Sequence, residues 1–560
     1  MKKKNRLIYM PLGGAGEIGM NAYVYGYGPE GAERLILVDL GVTFPDMDTS
    51  PGVDLIMPEI DWLEANAGRL EAIFITHGHE DHLGALAHYW ARLKVPVHLR
   101  KFTGRLAELK FEEAGLPTDA LNIHAPRPEV VQAGPFAVQF VPVSHSIPES
   151  SALVIDTPAG RIVHTGDFKL DGNPVVGEAF NPQVWHEVAR EGAGVKVLVC
   201  DSTNVFSPLP GRSETTLAVP LAELIAAQEG MVAATTFASN VARLKTLAEA
   251  ATAAGRQVCL LGRAMKRMVA AAVETGVLTS FPPILQPEDA VKIARNRLML
   301  IVTGSQGERR AASAQLSRGK YLGLQLKDGD TFLFSSKTIP GNERGVIRIM
   351  NAFSEMGVNV VDDHGGLYHV SGHANRPDLE AVHDLLNPQI LIPMHGEHRH
   401  LREHARIATA KGIASEVVTN GTMLDLTGDM PEVVEHVETG RIYLDGSVMI
   451  GALDGVVRDR LRMAMGGHVL ITVIVDEEDL PLGDAWVELM GLAPNGRSGG
   501  ALDEMIEAEI AEFLERAGAK VIASDEKLDE AIRRIVRQVT MEEIGKKPEV
   551  TLVVSRLIAD

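Results

Sequence analysis

Ile73-Phe74-Ile75-Thr76-His77-Gly78-His79-Glu80-Asp81-His82-Leu83-Gly84-Ala85-Leu86 joins a short apolar strand, a turn crowded with imidazole and carboxylate, and the start of a helical pattern. Side chains leaving a strand alternate between its two sides, so three histidines and an acid this close together can face two adjacent cations. Imidazole and carboxylate suit zinc or manganese, and the lack of thiolate disfavours a closed structural zinc site. The bland alternative is a polar turn with incidental histidines.

Working outward, the 19 histidines are unevenly spread. Five fall between His77 and His98, eight between His364 and His404, and none between His186 and His364. That pattern reads as a metal site built from both flanks of a ligand-free inserted domain. Further candidates stand where apolar runs end: Asp39 after Leu35-Ile36-Leu37-Val38, His145 after Phe140-Val141-Pro142-Val143-Ser144, and Asp167 after Ile162-Val163-His164-Thr165-Gly166. Asp201 follows Val197-Leu198-Val199-Cys200, and His395 follows Ile390-Leu391-Ile392-Pro393-Met394. An Asp after a strand is ordinarily a turn or cap residue. Polar residues just past five buried strands, however, would converge on one edge of a sheet, where α/β folds place their sites.

The remaining composition sets limits. The chain has 560 residues, 45% of them apolar and 23% charged, which excludes a wholly disordered chain, a collagen-like repeat and a disulfide scaffold. Cys200 and Cys259 are too few for a thiolate zinc site and fit a reducing compartment, so a cytoplasmic address is expected. Met1-Lys2-Lys3-Lys4-Asn5-Arg6 resembles the charged start of a secretion signal, but only Leu7 to Met10 follow before Pro11. No apolar run is long enough to span a membrane. The net charge of −20 on its face argues against nucleic acid. By segment the argument reverses: residues 206–362 hold 18 Lys+Arg against 13 Asp+Glu, a net of +5, while residues 446–560 hold 13 against 22, a net of −9. The histidine-free segment is therefore where a phosphate backbone is expected to lie.

The His77 to His82 block, with Asp39, His145, Asp167 and His395, resembles the metallo-β-lactamase superfamily signature. Cys200-Asp201-Ser202-Thr203-Asn204, His369-Val370-Ser371-Gly372-His373-Ala374 and Pro393-Met394-His395-Gly396-Glu397 resemble the additional motifs of the β-CASP nucleases. Within that group, Gly13-Gly14-Ala15-Gly16-Glu17-Ile18-Gly19, Thr303-Gly304-Ser305-Gln306-Gly307-Glu308 and Ile339-Pro340-Gly341-Asn342-Glu343 look like the bacterial ribonuclease J family. One departure is Arg309-Arg310-Ala311-Ala312, where family members often carry Pro and an apolar residue.

The resemblance implies an α/β chain: a metallo-β-lactamase αββα sandwich with an inserted α/β β-CASP domain and a small α/β C-terminal domain. Residues 1–205 and 363–445 would form the sandwich and 206–362 the insert, with 446–465 a linker to a domain at 466–560. The Ser207-Pro208-Leu209-Pro210-Gly211 break supports the first boundary. In the last domain, His468 to Val475 reads as a strand and Leu502 to Leu514 as a helix with Ile506, Ile510, Phe513 and Leu514 on one face.

The same resemblance implies site roles. His77, His79 and His145 would hold one divalent metal, Asp81, His82 and His395 the other, with Asp167 between them. Zinc is the expected ion, with manganese the alternative for the active form. Asp39 would orient a ligand, and Asp201 with His373 would act at the scissile phosphate. Ser239, Asn240, His369, Ser371 and Gly372 would form a pocket for a 5′-phosphate, although Ser239-Asn240 also reads as an ordinary helix cap. His398, His400 and His404, like His88, His98, His124 and His186, read as solvated or supporting residues.

The implied activity is 5′-to-3′ exonuclease and endonuclease cleavage of single-stranded RNA, preferring a 5′-monophosphate, in RNA maturation and decay. A hydroxide between two metals would attack phosphorus, leaving a 5′-phosphate and a 3′-hydroxyl. A homodimer or homotetramer, assembled through the C-terminal domain, and membership of an RNA-degradation assembly are the implied partners, with no membrane. The alternatives are a DNA-acting or purely endonucleolytic β-CASP nuclease, a thioester or lactam hydrolase, and a metal-free scaffold of an RNA-processing complex.

Overall fold

A computed structural model describes residues 4–363 and 365–557. Chain contacts divide it into two units, Met1–Thr43 with Met57–Gly440, and Phe44–Ile56 with Arg441–Asp560.

Two sheets face each other in the first unit. The eight-stranded sheet runs in the order Glu432–His436, Thr422–Asp425, Asn5–Gly13, Ala22–Pro29, Arg34–Val38, Leu70–Phe74, Val97–Leu99, Leu121–Ile123. The seven-stranded sheet runs Ala414–Ser415, Ile390–Met394, Val195–Asp201, Gly160–His164, Ser151–Thr157, Phe136–Pro142, Val131–Ala133. Their central strands, such as Arg34–Val38, Val195–Asp201 and Ile390–Met394, are buried at nearly every position because both faces are covered. Val197, Val199, Ile390 and Ile392 enter the core between the sheets, alongside Ile36, Val38 and Phe74. The alternate residues Leu198, Cys200 and Leu391 point the other way, against Val382 and Leu386 of helix Arg376–Leu386 and Ile407 of helix His398–Ala410. Helices Leu86–Leu93 and Lys101–Glu113 connect the parallel strands at the end of the first sheet. The result is the αββα sandwich.

The insert begins and ends on neighbouring strands. Val195–Asp201 pairs in parallel with Ile390–Met394, in register from Val197 against Ile390 to Asp201 against Met394. Between them lies a six-stranded, all-parallel sheet, ordered Ile284–Leu285, Gln257–Leu261, Leu298–Val302, Val232–Thr235, Thr331–Phe334, Asn359–Val361. Helices such as Val241–Ala253, Arg263–Glu274 and Glu343–Glu355 supply the crossovers that parallel strands require.

In the second unit, His468–Val475 pairs antiparallel with Trp486–Met490 and parallel with Glu549–Arg556. Val469, Ile471, Val473 and Val475 meet Ile506, Ile510 and Leu514 of helix Leu502–Arg516 and Ile532 and Val536 of helix Asp525–Ile544. Residues 446–465, expected as a linker, instead carry strand Val448–Gly451 and most of helix Val456–Gly466. Only Val457 of that helix is buried, so its apolar residues Leu461, Ala464 and Met465 do not enter a core. Phe44–Ile56 joins this unit through the Asp54 N–H, which donates to the Leu444 carbonyl at 2.8 Å. Among the described residues, no helix is long and apolar enough to cross a membrane.

Candidate metal centre

Strand direction gathers the site. Arg34–Val38 and Leu70–Phe74 run in parallel, so Asp39 and the His77 turn leave the first sheet at one end. In the second sheet, Phe136–Pro142 and Gly160–His164 are both antiparallel to Ser151–Thr157 and therefore run together. Val195–Asp201 and Ile390–Met394 follow the same direction. His145, Asp167, Asp201 and His395 thus emerge at a common edge. Asp39 and His395 take left-handed backbone angles, with φ of 61° and 52°, a cost seldom kept where the side chain could point anywhere. Gly41 lets the turn close, since a Cβ there would lie 1.7 Å from the Asp81 carbonyl oxygen.

Two ligand sets meet at one carboxylate. His79 Nδ1 lies 3.1 Å from both His77 Nε2 and His145 Nε2, and Asp167 Oδ2 lies 3.8 and 3.7 Å from those two Nε2 atoms. In the second set, Asp167 Oδ2 is 3.2 Å from His82 Nε2 and 3.6 Å from His395 Nε2, while Asp81 Oδ2 is 3.7 and 3.2 Å from the same nitrogens. Four ligands about 2.1 Å from a tetrahedral zinc ion lie about 3.4 Å apart, so both sets have the span of a four-coordinate shell. Asp167 Oδ1 is buried without a hydrogen-bond partner, which leaves a carboxylate acceptor for a cation to satisfy. These donors fit a pair of divalent ions.

The opposite ring nitrogens are held by the protein. His82 Nδ1 donates to Asp39 Oδ2 at 2.7 Å, His145 Nδ1 to the Gly372 carbonyl at 2.7 Å, and His395 Nδ1 to Thr203 Oγ1 at 2.7 Å. Each bond fixes a tautomer and turns Nε2 inward. Asp39 is itself fixed by the Thr76 N–H and hydroxyl, both at 2.8 Å. Asp39→Ala is therefore expected to weaken zinc binding about 10- to 100-fold. Competition against a chromophoric chelator measures this, and unchanged affinity would remove Asp39 from the site.

Charge divides the two sets. Burial drives the His77 and His145 imidazoles well below their ordinary value and His79 down to about 4, so all three are neutral ligands. Burial also opposes charge on His82 and His395, but Asp167 and the neighbouring acids outweigh it and raise both. Cation binding there displaces protons. His373 is likewise disfavoured by burial, yet Asp201 and then Asp167 lift it to about 9. Its Nδ1 donates to Asp201 Oδ2 at 2.8 Å, and its side chain stays 21% exposed where His395 is at 2%.

The expected phosphate-pocket residues fall into two groups. Ser371 Oγ accepts from Asn204 Nδ2 at 2.8 Å and from the His373 N–H at 3.2 Å. Gly372 packs so closely that a Cβ would sit 2.9 Å from the His145 ring. Asn240 caps helix Val241–Ala253, accepting from the Arg243 N–H at 2.9 Å, and Ser239 directly precedes it. Arg243 connects the groups: buried and ion-paired with Glu214, it donates to the Tyr368 carbonyl at 3.2 Å and lies 3.5 Å from His369 Nδ1. Burial, then Arg243, push His369 down to about 3.

Sequence reading missed Thr76, Thr203, Arg243 and Asn21, whose Nδ2 donates to the Asp81 carbonyl and lies 3.0 Å from His82 Nε2. Thr76 and Thr203 stand inside the quoted stretches Ile73 to Leu86 and Cys200 to Asn204, the only signal they offered. His404 was expected as solvated or supporting; it is fully buried, bonded to Ser202 Oγ at 2.9 Å and to His383 at 3.0 Å. His98 and His124 pair with each other at 2.8 Å.

Residues 16–199 match the metallo-β-lactamase superfamily, and 229–353 match the ribonuclease J β-CASP domain. Residues 367–418 match the RNA specificity domain of zinc-dependent metallo-hydrolases, and 455–557 the ribonuclease J C-terminal domain. A protein called ribonuclease J from Sinorhizobium meliloti is 41% identical over all of this chain and 98% of its own length. Those of Mycolicibacterium smegmatis, 35% identical over 96% of this chain and 95% of theirs, and Corynebacterium glutamicum, 35% over 84% and 65%, are also similar. With that identity over its full length, a cluster suited to divalent metal and an RNA specificity domain, the chain belongs to the ribonuclease J family and is a metal-dependent ribonuclease.

Proposed function

We propose that the chain cleaves single-stranded RNA at a two-cation centre, both from a 5′-monophosphorylated end and internally, during RNA maturation and decay in the cytoplasm. The observation that carries this reading is Asp167, common to two four-ligand sets that together use all seven expected metal residues, while a third set sharing it draws in Asp201 and His373. His77, His79 and His145 would hold one cation and Asp81, His82 and His395 the other, with zinc the expected ion and manganese the alternative. When bound, such a pair supplies an activated water and neutralises charge on the phosphate.

The chain's own groups do the rest. His373, oriented through Nδ1 by Asp201, presents its other nitrogen to the leaving 3′ oxygen and delivers a proton there. The Asn204 bond leaves the Ser371 hydroxyl proton free for a phosphate oxygen. Ser239, Asn240, His369 and Gly372 complete a pocket for the terminal phosphate, and the basic segment 206–362 lines the path of the chain. The C-terminal domain joins copies into a homodimer or homotetramer.

Digestion of end-labelled RNA carrying 5′-monophosphate, triphosphate or hydroxyl ends tests the reading. Mononucleotides released fastest from monophosphate ends, together with internal fragments, are expected; cleavage indifferent to the 5′ end, or faster on DNA, would overturn it. Ser239→Ala with Ser371→Ala should lower exonuclease turnover of 5′-monophosphate RNA about 10²- to 10⁴-fold, the worth of two hydrogen bonds to a charged group, while internal cleavage is largely spared. Equal loss in both assays refutes a dedicated pocket.

A further inference from the structure

The C-terminal segment is acidic, yet its cations are not scattered. Of the 13 Lys and Arg in residues 446–560, five surround one open cavity of about 720 Å³, which among the described residues Glu530 and Glu549 also line. Arg533, Arg534 and Arg537 stand on helix Asp525–Ile544, beside the face that buries Ile532 and Val536. Arg462 comes from helix Val456–Gly466, and Lys547 from the approach to strand Glu549–Arg556.

The acids do not neutralise the cavity. Glu549 is shared between Arg462 and Arg537, each 4.0 Å away, at the outer limit of an ion pair. Arg534 and Lys547 are exposed and have no ion-pair partner among the described residues. Arg533 is paired with Asp529 on its own helix at 2.5 Å, and Glu530 is the other acid lining the rim among the described residues. Like charges brought together repel, so five cations against Glu530, Glu549 and Asp529, a net of +2 inside a segment of −9, are costly to gather unless a polyanion occupies the concavity. With Arg533 held by Asp529, Arg534 and Arg537 on the same helix present guanidinium groups that suit phosphate oxygens, which they can bind in bidentate fashion without reading bases.

We propose that this cavity is a second RNA-binding site, built from residues other than those of the metal centre, which takes the phosphate backbone of single-stranded RNA without sequence preference. The site holds substrate that the catalytic cleft has yet to reach or has released. It rests on the ribonuclease reading and goes beyond it by assigning RNA contact to the acidic segment.

The test is binding of a long single-stranded RNA with nuclease-resistant linkages to the full-length, metal-loaded protein, across about 50 to 200 mM salt. Arg534→Gln with Arg537→Gln should weaken binding about tenfold and lower the slope of log K against log salt by about 1.4, the loss of two phosphate contacts to a single strand. Arg516→Gln, an exposed change on helix Leu502–Arg516, should leave the slope nearly intact. Unchanged affinity and slope in the double variant would overturn the proposal, as would an equal effect from Arg516→Gln. A variant that binds RNA normally but falls from oligomer to monomer would give the cavity to a second copy instead. Inorganic tripolyphosphate binding to the wild type, with RNA affinity unaltered in the variant, would make it a free-anion site. Cleavage of ordinary RNA by the same wild-type preparation is the separate check: its failure would indict the ribonuclease reading, not the cavity alone.

Discussion

His79→Ala is expected to lower turnover of single-stranded RNA by at least about 10⁴-fold, because phosphodiester hydrolysis is slow enough unaided that most of its acceleration must come from the cation pair. His79 Nδ1 is the nitrogen equidistant from His77 Nε2 and His145 Nε2, so its removal opens that ligand set at its centre. The fold should survive. His79 is only partly buried and precedes the short helix Glu80–Leu83, outside the apolar cores. Circular dichroism and a melting temperature within a few degrees of the wild type would separate lost chemistry from lost structure. A variant with near-normal turnover would exclude His79 as a ligand.

His373→Ala should cost about 10²- to 10⁴-fold in kcat, the usual worth of a positioned general acid. The more informative result is its dependence on the leaving group. A nucleotide diester that expels nitrophenolate needs no proton, so the variant's deficit on it should shrink to about tenfold. If the deficit is the same for both substrates, His373 contacts the phosphate without protonating the leaving oxygen. Asp201→Asn, which keeps the shape of the partner but removes its charge, should fall between wild type and His373→Ala.

The site was legible in the sequence to the extent that its residues stand where buried strands end. Runs such as Val197-Leu198-Val199-Cys200 are apolar throughout because alternate residues enter different cores, and an acid or imidazole within a few residues of each run's end is the one that reaches the common edge. The histidine-free gap likewise corresponds to chain leaving one strand and returning on its neighbour. The supporting groups were not legible. Thr76 and Thr203 act through hydroxyls fixed by contacts as distant in sequence as His395, and nothing in a threonine's local pattern carries that partner. Arg243 looked like one more cation of a basic segment, whereas its ion pair with Glu214 and its bond to the Tyr368 carbonyl require the folded chain. The attachment of Phe44–Ile56 to Arg441–Asp560 is equally non-local, resting on bonds such as Gly446 N–H to Asp54 Oδ2 at 2.9 Å.

The central claim is that two cations, sharing Asp167, carry the chemistry. Stripped protein titrated with zinc while RNA turnover is followed on the same sample tests it most directly. The account predicts no cleavage without metal and a rise to a plateau at two equivalents per chain. A plateau at one equivalent, or cleavage by the metal-free protein, would contradict it.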